Sequence, residues 1–167
     1  MPKTESFDIT TGLDLQEVDN AMNQARKEIS TRFDFKNLVA EIEYDRTVPK
    51  LVLHTTDEYK LEAMWQAVLP RLIARGVPLK NLTRGKINEA GGNTVRQDVV
   101  ITQSIDSETA RKITKFIKDQ KYKKVQSSIQ GDEVRVSAPS RDELQGVIKD
   151  LQGEDWGMEL KFGNYRS

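Results

Sequence analysis

The sequence predicts an α+β protein in which the order strand, helix, strand, strand, helix, strand occurs twice. Three observations predict it. Apolar residues alternate in short runs, they recur at spacings of three and four in longer runs, and the same order of runs starts again after Gly91-Gly92. Each half should form a four-stranded antiparallel sheet with both helices on one face. We place the domain boundary between residues 90 and 91, which gives domains 1–90 and 91–167.

The first half begins with a strand and a helix. Phe7 and Ile9 alternate with polar neighbours, and Asp14 with Glu17 has the spacing of a capping box that opens a helix. The apolar stripe of this helix has helical spacing and consists of Leu15, Val18, Met22, Ala25 and Ile29. Alternation then resumes on both sides of a turn at residues 45–49, which predicts a hairpin.

A second helix should end at a C-cap glycine, Gly76, because apolar residues recur at helical spacing from Leu61 to Ile73. Pro70 lies inside this segment. Proline removes one helical hydrogen bond, so we expect a kink or a split near residue 69. A short extended segment at residues 82–87 follows this helix.

The second half repeats this order of elements. Alternation at residues 95–101 predicts a strand, Asp106 should cap a helix, and Gly131-Asp132 marks a tight hairpin between two further strands. The last helix should follow a second capping box, Ser140 with Glu143, and the strand at residues 158–162 closes the order.

Composition and charge exclude several classes of function. Lys and Arg (26) balance Asp and Glu (26), so the chain has no overall positive field that would attract nucleic acid or a membrane surface. With no cysteine and one histidine, a thiol nucleophile, a disulfide and a zinc site built from His and Cys are excluded. The apolar runs are far shorter than the ~20 residues of a membrane helix, and the first residues lack the apolar region of a secretory signal. We expect a cytoplasmic protein with no cofactor and no membrane partner.

The motifs of common enzyme classes are absent from the sequence. It contains no glycine-rich phosphate loop and no nucleophile elbow. His54 points outward in a predicted strand, with no second histidine and no obvious carboxylate partner, so we interpret it as a surface or structural residue. We therefore expect a protein that is not an enzyme.

One predicted helix is strongly basic in an otherwise neutral chain. Between residues 106 and 126, seven cations stand against three carboxylates, a net charge of +4. The candidate contacts to RNA phosphates are Arg111, Lys112, Lys115 and Lys118. At ~100° per residue, three of them fall opposite the apolar stripe and form an exposed cationic face. The same pattern also fits a solvated helix face with lysines near its C-terminal end.

A loop in the first half combines aromatic and cationic side chains. Arg32, Phe33 and Lys36 join a helix to a strand, where they could stack a nucleobase and neutralise a phosphate. Phe33 and Phe35 share one alternation parity, so at least one of them should lie in the core. These residues are our candidates for nucleotide binding in the first half.

The second half offers three outward arginines, Arg135, Arg141 and Arg166, each able to grip a phosphate with a planar guanidinium. Small sheets that bind RNA stack bases on aromatic residues of their central strands, and the outward strand positions here carry none. RNA would therefore be bound through phosphates or in a cleft between the halves, with low sequence specificity.

Six blocks of this sequence, in order and at matching spacing, resemble the YajQ family of bacterial proteins. They are Ser6–Ile9, Leu15–Val18, Arg32–Asn37, Gln130–Val136, Ser140–Gln145 and Phe162–Arg166. The resemblance covers nearly the whole chain. It implies two ferredoxin-like domains that exchange their N-terminal strands, near residues 6–10 and 94–103, in a cytosolic nucleotide-binding protein without an established catalytic activity.

Two hypotheses for the function follow. In the first, the protein binds a purine nucleotide such as GTP or ATP, or cyclic di-GMP, and signals through a protein partner. Family members have been linked to each of these ligands and to RNA. In the second, it binds a tRNA-like RNA through phosphate contacts from the basic helix and from the cleft between the halves.

Overall fold

The structure is a computed structural model that describes residues 4–167. In chain order its strands and helices are β1 Glu5–Thr10, α1 Leu15–Thr31, β2 Ala40–Asp45, β3 Lys50–Thr55, α2 Glu58–Ala74, β4 Leu82–Ala90, β5 Thr94–Ile101, α3 Ser107–Asp119, β6 Gln126–Gln130, β7 Glu133–Ala138, α4 Arg141–Gln152 and β8 Lys161–Arg166. Short 3-10 turns occupy Phe33–Phe35 and Leu79–Asn81.

The chain divides into two compact units. The split unit is built from two separate segments, the chain up to Gly12 and Ser104–Ser167, whereas the continuous unit is Leu13–Gln103. The two antiparallel four-stranded sheets and their four helices confirm the predicted α+β class with two ferredoxin-like domains. The boundary predicted at residue 90 falls in the turn between β4 and β5.

The sheet of the split unit has the strand order β6-β7-β1-β8. β1 therefore lies between two strands that come more than 120 residues later in the chain, with Phe7 opposite Val136 in register. Phe7, Ile9 and Val136 are fully buried, and α3 and α4 pack on this face of the sheet. Burial of this apolar face provides the main stabilisation of the unit.

The sheet of the continuous unit has the order β2-β3-β5-β4. β5 is a central strand, and its Val99 lies opposite Leu51 of β3. Both residues are fully buried under α1 and α2. In each sheet, the helices that the structure describes for its own unit pack on the apolar face, which leaves the other face without one of them.

The predicted stripe of α1 is confirmed, because all five of its residues are buried. Aspartate or serine caps every helix: the side chains of Asp14, Asp57, Asp106 and Ser140 each accept a hydrogen bond from a backbone N–H of the first turn. Such caps satisfy donors that the helix itself leaves unpaired, and each contributes about 1 kcal/mol.

Three local features differ from the prediction. α2 runs from Glu58 to Ala74 and is not split at Pro70, because Val68 and Leu72 on either side are fully buried and their packing holds the helix together. β4 is longer than the extended segment predicted at residues 82–87, since it pairs with β5 as far as Ala90. The sequence predicts the last strand at residues 158–162, whereas β8 is Lys161–Arg166, where it pairs with β1.

Candidate functional site

A cavity of about 600 Å³ opens beside the loop that follows α1 in the continuous unit. Its lining mixes apolar side chains with two aromatic and three cationic ones, namely Phe33, Phe35, Arg26, Arg32 and Lys36. A cavity of this size and mixed character falls in the range of small-molecule sites. The structure thus brings together the three candidate residues that the sequence predicts in the first half.

The two phenylalanines of this loop have different environments. Phe35 is buried, with the Arg32 guanidinium carbon 5.3 Å and the Lys60 Nζ 5.4 Å from its ring centre. Phe33 is 87% exposed. The prediction that at least one of the two lies in the core is confirmed, and the ring of Phe33 is open to stack on a planar ligand.

The cations of the cavity are not equally available. Arg32 donates two hydrogen bonds to Asp34, Nε to Oδ1 at 3.0 Å and Nη2 to Oδ2 at 2.8 Å, and this pairing lowers the pKa of Asp34. Arg26 donates to the backbone oxygen of Ile42 at 2.7 Å. The side chain of Lys36 is exposed and makes no hydrogen bond or ion pair with any residue from 4 to 167. Among residues 4–167, Arg32 is the only one of the three cations paired with a carboxylate, and Lys36 is the only one whose side chain makes no hydrogen bond.

A second polar cluster lies on the helix-free face of the sheet in the split unit, with Asp8 at its centre. Asp8 Oδ1 accepts from Arg135 Nε at 3.0 Å, and Oδ2 accepts from Arg166 Nη2 at 2.9 Å and from Asn164 Nδ2 at 3.3 Å. Asp8 is 1% exposed. Burial raises the pKa of this carboxyl, but the hydrogen bonds from Arg166, Arg135 and Asn164 outweigh it and hold the pKa below its usual value.

The third predicted arginine of the second half lies elsewhere in the split unit. Arg141 begins α4, pairs with Glu5 at 3.6 Å and places its guanidinium carbon 5.4 Å from the ring centre of Tyr165. The structure therefore joins Arg135 to Arg166 through Asp8 and gives Arg141 different partners. All three belong to the split unit, whereas Arg32, Phe33 and Lys36 belong to the continuous unit.

The basic helix borders a groove between α3 and β6, with a volume of about 830 Å³. Arg111, Lys115 and Lys118 line this groove, while Lys112 pairs with Glu108 at 3.5 Å and does not. Tyr122 also lines the groove, and its hydroxyl donates to Asp150; burial and this carboxylate raise its pKa above the usual range. Three of the four cations predicted to contact RNA thus share one surface.

His54 lies on β3, where its Nε2 is 2.8 Å from the Thr94 hydroxyl. Contrary to the expectation from the sequence, it has a carboxylate neighbour, because its Nδ1 lies 3.8 Å from Glu41 on the adjacent strand. In the part of the chain that the structure describes, no group of three or more His, Cys, Asp or Glu side chains could hold a metal ion. No helix among residues 4–167 has the length and apolar character to span a bilayer.

Sequence reasoning missed Asp8 as a functional candidate. It appeared there only as a polar residue between Phe7 and Ile9. Its partners are 127 and 158 residues away along the chain, so the contact is visible only once the order of the strands is known.

Comparison with known proteins agrees with the fold and with the resemblance in sequence. The family model described as nucleotide-binding protein YajQ-like matches residues 5–166. A Koribacter versatilis protein named as a nucleotide-binding protein is 49% identical over 97% of both chains. Similarly named proteins from Chloroherpeton thalassium and Bacillus cereus are 43% and 45% identical over 99% of this chain and the whole of theirs. The chain belongs to the YajQ-like family.

Proposed function

We propose that this protein binds nucleotides without transforming them, and that the cavity beside the loop after α1 holds the base. The names of its relatives support nucleotide binding, and none of the three relatives is named as an enzyme. The observation that carries the proposal is the exposed ring of Phe33 at a cavity lined with cations. Exposing a large aromatic ring to water is costly, and stacking on a base removes that cost.

The cavity suggests how the parts of a nucleotide are divided among its residues. The base stacks on Phe33, and the phosphates lie toward Lys36, whose charge no described carboxylate offsets. Arg32 uses two N–H donors on Asp34 and keeps three for a ligand, so it orients the phosphate more than it attracts it. A purine offers the larger stacking surface, which favours GTP, ATP or cyclic di-GMP as ligand.

Arg135, Arg141 and Arg166 remain predicted ligands of nucleotide phosphates in the split unit. A protein partner that responds to the bound nucleotide likewise remains a prediction of the family resemblance.

Titration of the protein with ATP, GTP and cyclic di-GMP, monitored by calorimetry, tests the proposal. Phe33→Ala should weaken binding by about 1 to 3 kcal/mol, the range for loss of one base–aromatic stack. Tyr59→Ala is the matched control, because Tyr59 is an aromatic residue of the same unit that is 81% exposed and does not line the cavity.

Lys36→Gln should weaken binding through the phosphates, and Lys80→Gln, an exposed lysine of the same unit outside the cavity, should not. If Phe33→Ala and Tyr59→Ala bind every nucleotide as the wild type does, the cavity is not the site.

A second candidate function, RNA binding, is favoured by the groove between α3 and β6. Arg111, Lys115 and Lys118 together offer three phosphate contacts on one surface. Replacing all three with Gln should lower RNA affinity and reduce the slope of log affinity against log salt by about 0.7 per lost contact to a single strand. The control variant replaces Lys121, Lys123 and Lys124 with Gln. It removes the same amount of charge from residues that do not line the groove. If the two triple variants lower RNA affinity equally, the cations of α3 form only a solvated helix face.

A further inference from the structure

We propose that Arg135 and Arg166 form a phosphate-binding site on the helix-free face of the sheet in the split unit, and that Asp8 is its positioning residue. The ligand class is a phosphate or pyrophosphate group, free or esterified. The site lies in a different unit from the cavity at Phe33, so the inference stands whether or not that cavity binds a base.

At Asp8 this face presents guanidinium groups to solvent, because the carboxylate of Asp8 lies beneath them. Both oxygens of Asp8 are occupied by hydrogen bonds, and the residue is 1% exposed beneath its partners. The side chains of Arg135 and Arg166 are 39% and 46% exposed. Arg135 donates to Asp8 only through Nε, so both of its Nη groups can donate to a ligand.

A purely structural role accounts poorly for this arrangement. A buried ion pair contributes little net stability, because removing the charges from water offsets most of their attraction. Asp8 faces Gly163 on the neighbouring strand β8, which leaves its carboxylate uncovered until Arg166 and Asn164 close over it. The arrangement does fix two planar guanidinium groups in place, which is what recognition of a phosphate requires.

A serine lies opposite each of the two arginines. Ser128 lies opposite Arg135 in the register of β6 with β7, and Ser6 lies opposite Arg166 in that of β1 with β8. These hydroxyls leave room above the sheet and add donors for phosphate oxygens.

Glu133 is the opposing feature, since its charge also acts on Arg166 and helps to raise the pKa of that residue. With Asp8 and Glu133 offsetting the two arginines, the site must bind by geometry and not by net charge.

The variant Asp8→Asn distinguishes binding by geometry from binding by net charge, because the two predict changes of opposite sign in pyrophosphate affinity. If charge alone attracted the ligand, removing a negative charge would tighten binding. If Asp8 positions the arginines, the amide can hold only part of the arrangement and binding weakens. We expect Asp8→Asn to weaken binding of inorganic pyrophosphate about fivefold or more, whereas unchanged or tighter binding overturns the positioning role.

Arg135→Lys tests the site with the charge kept, since an ammonium cannot reproduce the planar fork. We expect about a tenfold loss of pyrophosphate affinity. Arg96→Lys is the matched control: Arg96 is an exposed strand arginine of the other sheet, paired with Glu43 at 3.7 Å. Equal affinities of Arg135→Lys and Arg96→Lys overturn the site.

Binding is followed on the full chain by NMR of the arginine Nε–H groups during titration with pyrophosphate, which has no base to stack on Phe33. Shifts at Arg135 and Arg166 but not at Arg96 support the proposal, and absence of shifts at millimolar pyrophosphate overturns it. Backbone amide spectra of β7 show whether each variant is folded. If Asp8→Asn does not fold, Arg135→Lys decides the outcome alone.

Discussion

Phe7→Ala should destabilise the split unit, whose sheet otherwise consists of strands beyond residue 125, and should leave the continuous unit folded. Phe7 is fully buried opposite Val136. Its ring meets that of Phe162 edge-on at 5.8 Å and lies 6.0 Å from that of Tyr165. Truncating a buried phenylalanine to alanine costs about 3 to 5 kcal/mol. Because ~1.4 kcal/mol is a factor of ten in an equilibrium constant, hydrogen-exchange protection in β7 should fall by roughly 10² to 4 × 10³.

Val99→Ala is the reciprocal change in the continuous unit. Val99 is fully buried opposite Leu51, and it loses the equivalent of two methylene groups, about 1.6 kcal/mol at ~0.8 kcal/mol each before any cavity cost. Protection in β3 should therefore fall at least tenfold while β7 keeps its protection.

Amide hydrogen exchange by mass spectrometry, on peptides covering 50–55 and 133–138, distinguishes these outcomes. Loss of protection in β3 with retention in β7 after Phe7→Ala would contradict the strand order. The same holds for the reverse pattern after Val99→Ala.

Two further predictions concern stability. Asp8 should make the protein acid-sensitive. The pKa of Asp8 in the folded protein is lowered from its ordinary value of 3.8. The contribution of this carboxylate to the free energy of unfolding is therefore complete above 3.8 and is lost as pH falls through the folded pKa. The difference in urea-unfolding free energy between wild type and Asp8→Asn should thus shrink as pH falls below 3.8 and through the lowered folded pKa, and a constant difference would refute the assignment. Gly12→Ala should cost about 2 kcal/mol or more and Gly76→Ala about 1 kcal/mol by the same assay. Both glycines have φ near +70°, but a Cβ at Gly12 would lie 2.8 Å from Lys161 Cδ, whereas one at Gly76 meets nothing within 4 Å. Equal losses would show that backbone conformation alone sets the cost.

Local patterns in the sequence predict the helices well and their interruptions poorly. The α1 stripe and the three caps that the sequence predicts, Asp14, Asp106 and Ser140, depend on residues within one or two turns, so periodicity and capping chemistry are enough to find them. The Asp57 cap of α2 follows the same chemistry and was missed. Pro70 is a local signal too, but the packing of Val68 and Leu72 decides the outcome and cannot be seen in a window of sequence.

The candidate sites also differ in whether the local sequence is enough to predict them. Arg32, Phe33 and Lys36 come together because they are neighbours in one loop, and the sequence predicts them as a group. Arg135 and Arg166 meet only through Asp8, and Arg141 turns to Glu5 instead. Which arginines share a carboxylate depends on strand order and register, which no local pattern specifies.

The position of β1 between β7 and β8 affects how the chain folds during synthesis. The continuous unit consists of one uninterrupted segment and can complete its core soon after Gln103 emerges. β1 is made first, yet its partner in β8 ends at Arg166, so at ~5–20 residues per second it waits roughly 8 to 30 s. Until β7 has been made, Phe7 and Ile9 belong to an unpaired apolar strand, and until β8 has been made one edge of β1 stays unpaired. Ribosome-associated chaperones would therefore be expected to engage this segment, and slower translation would lengthen its exposure.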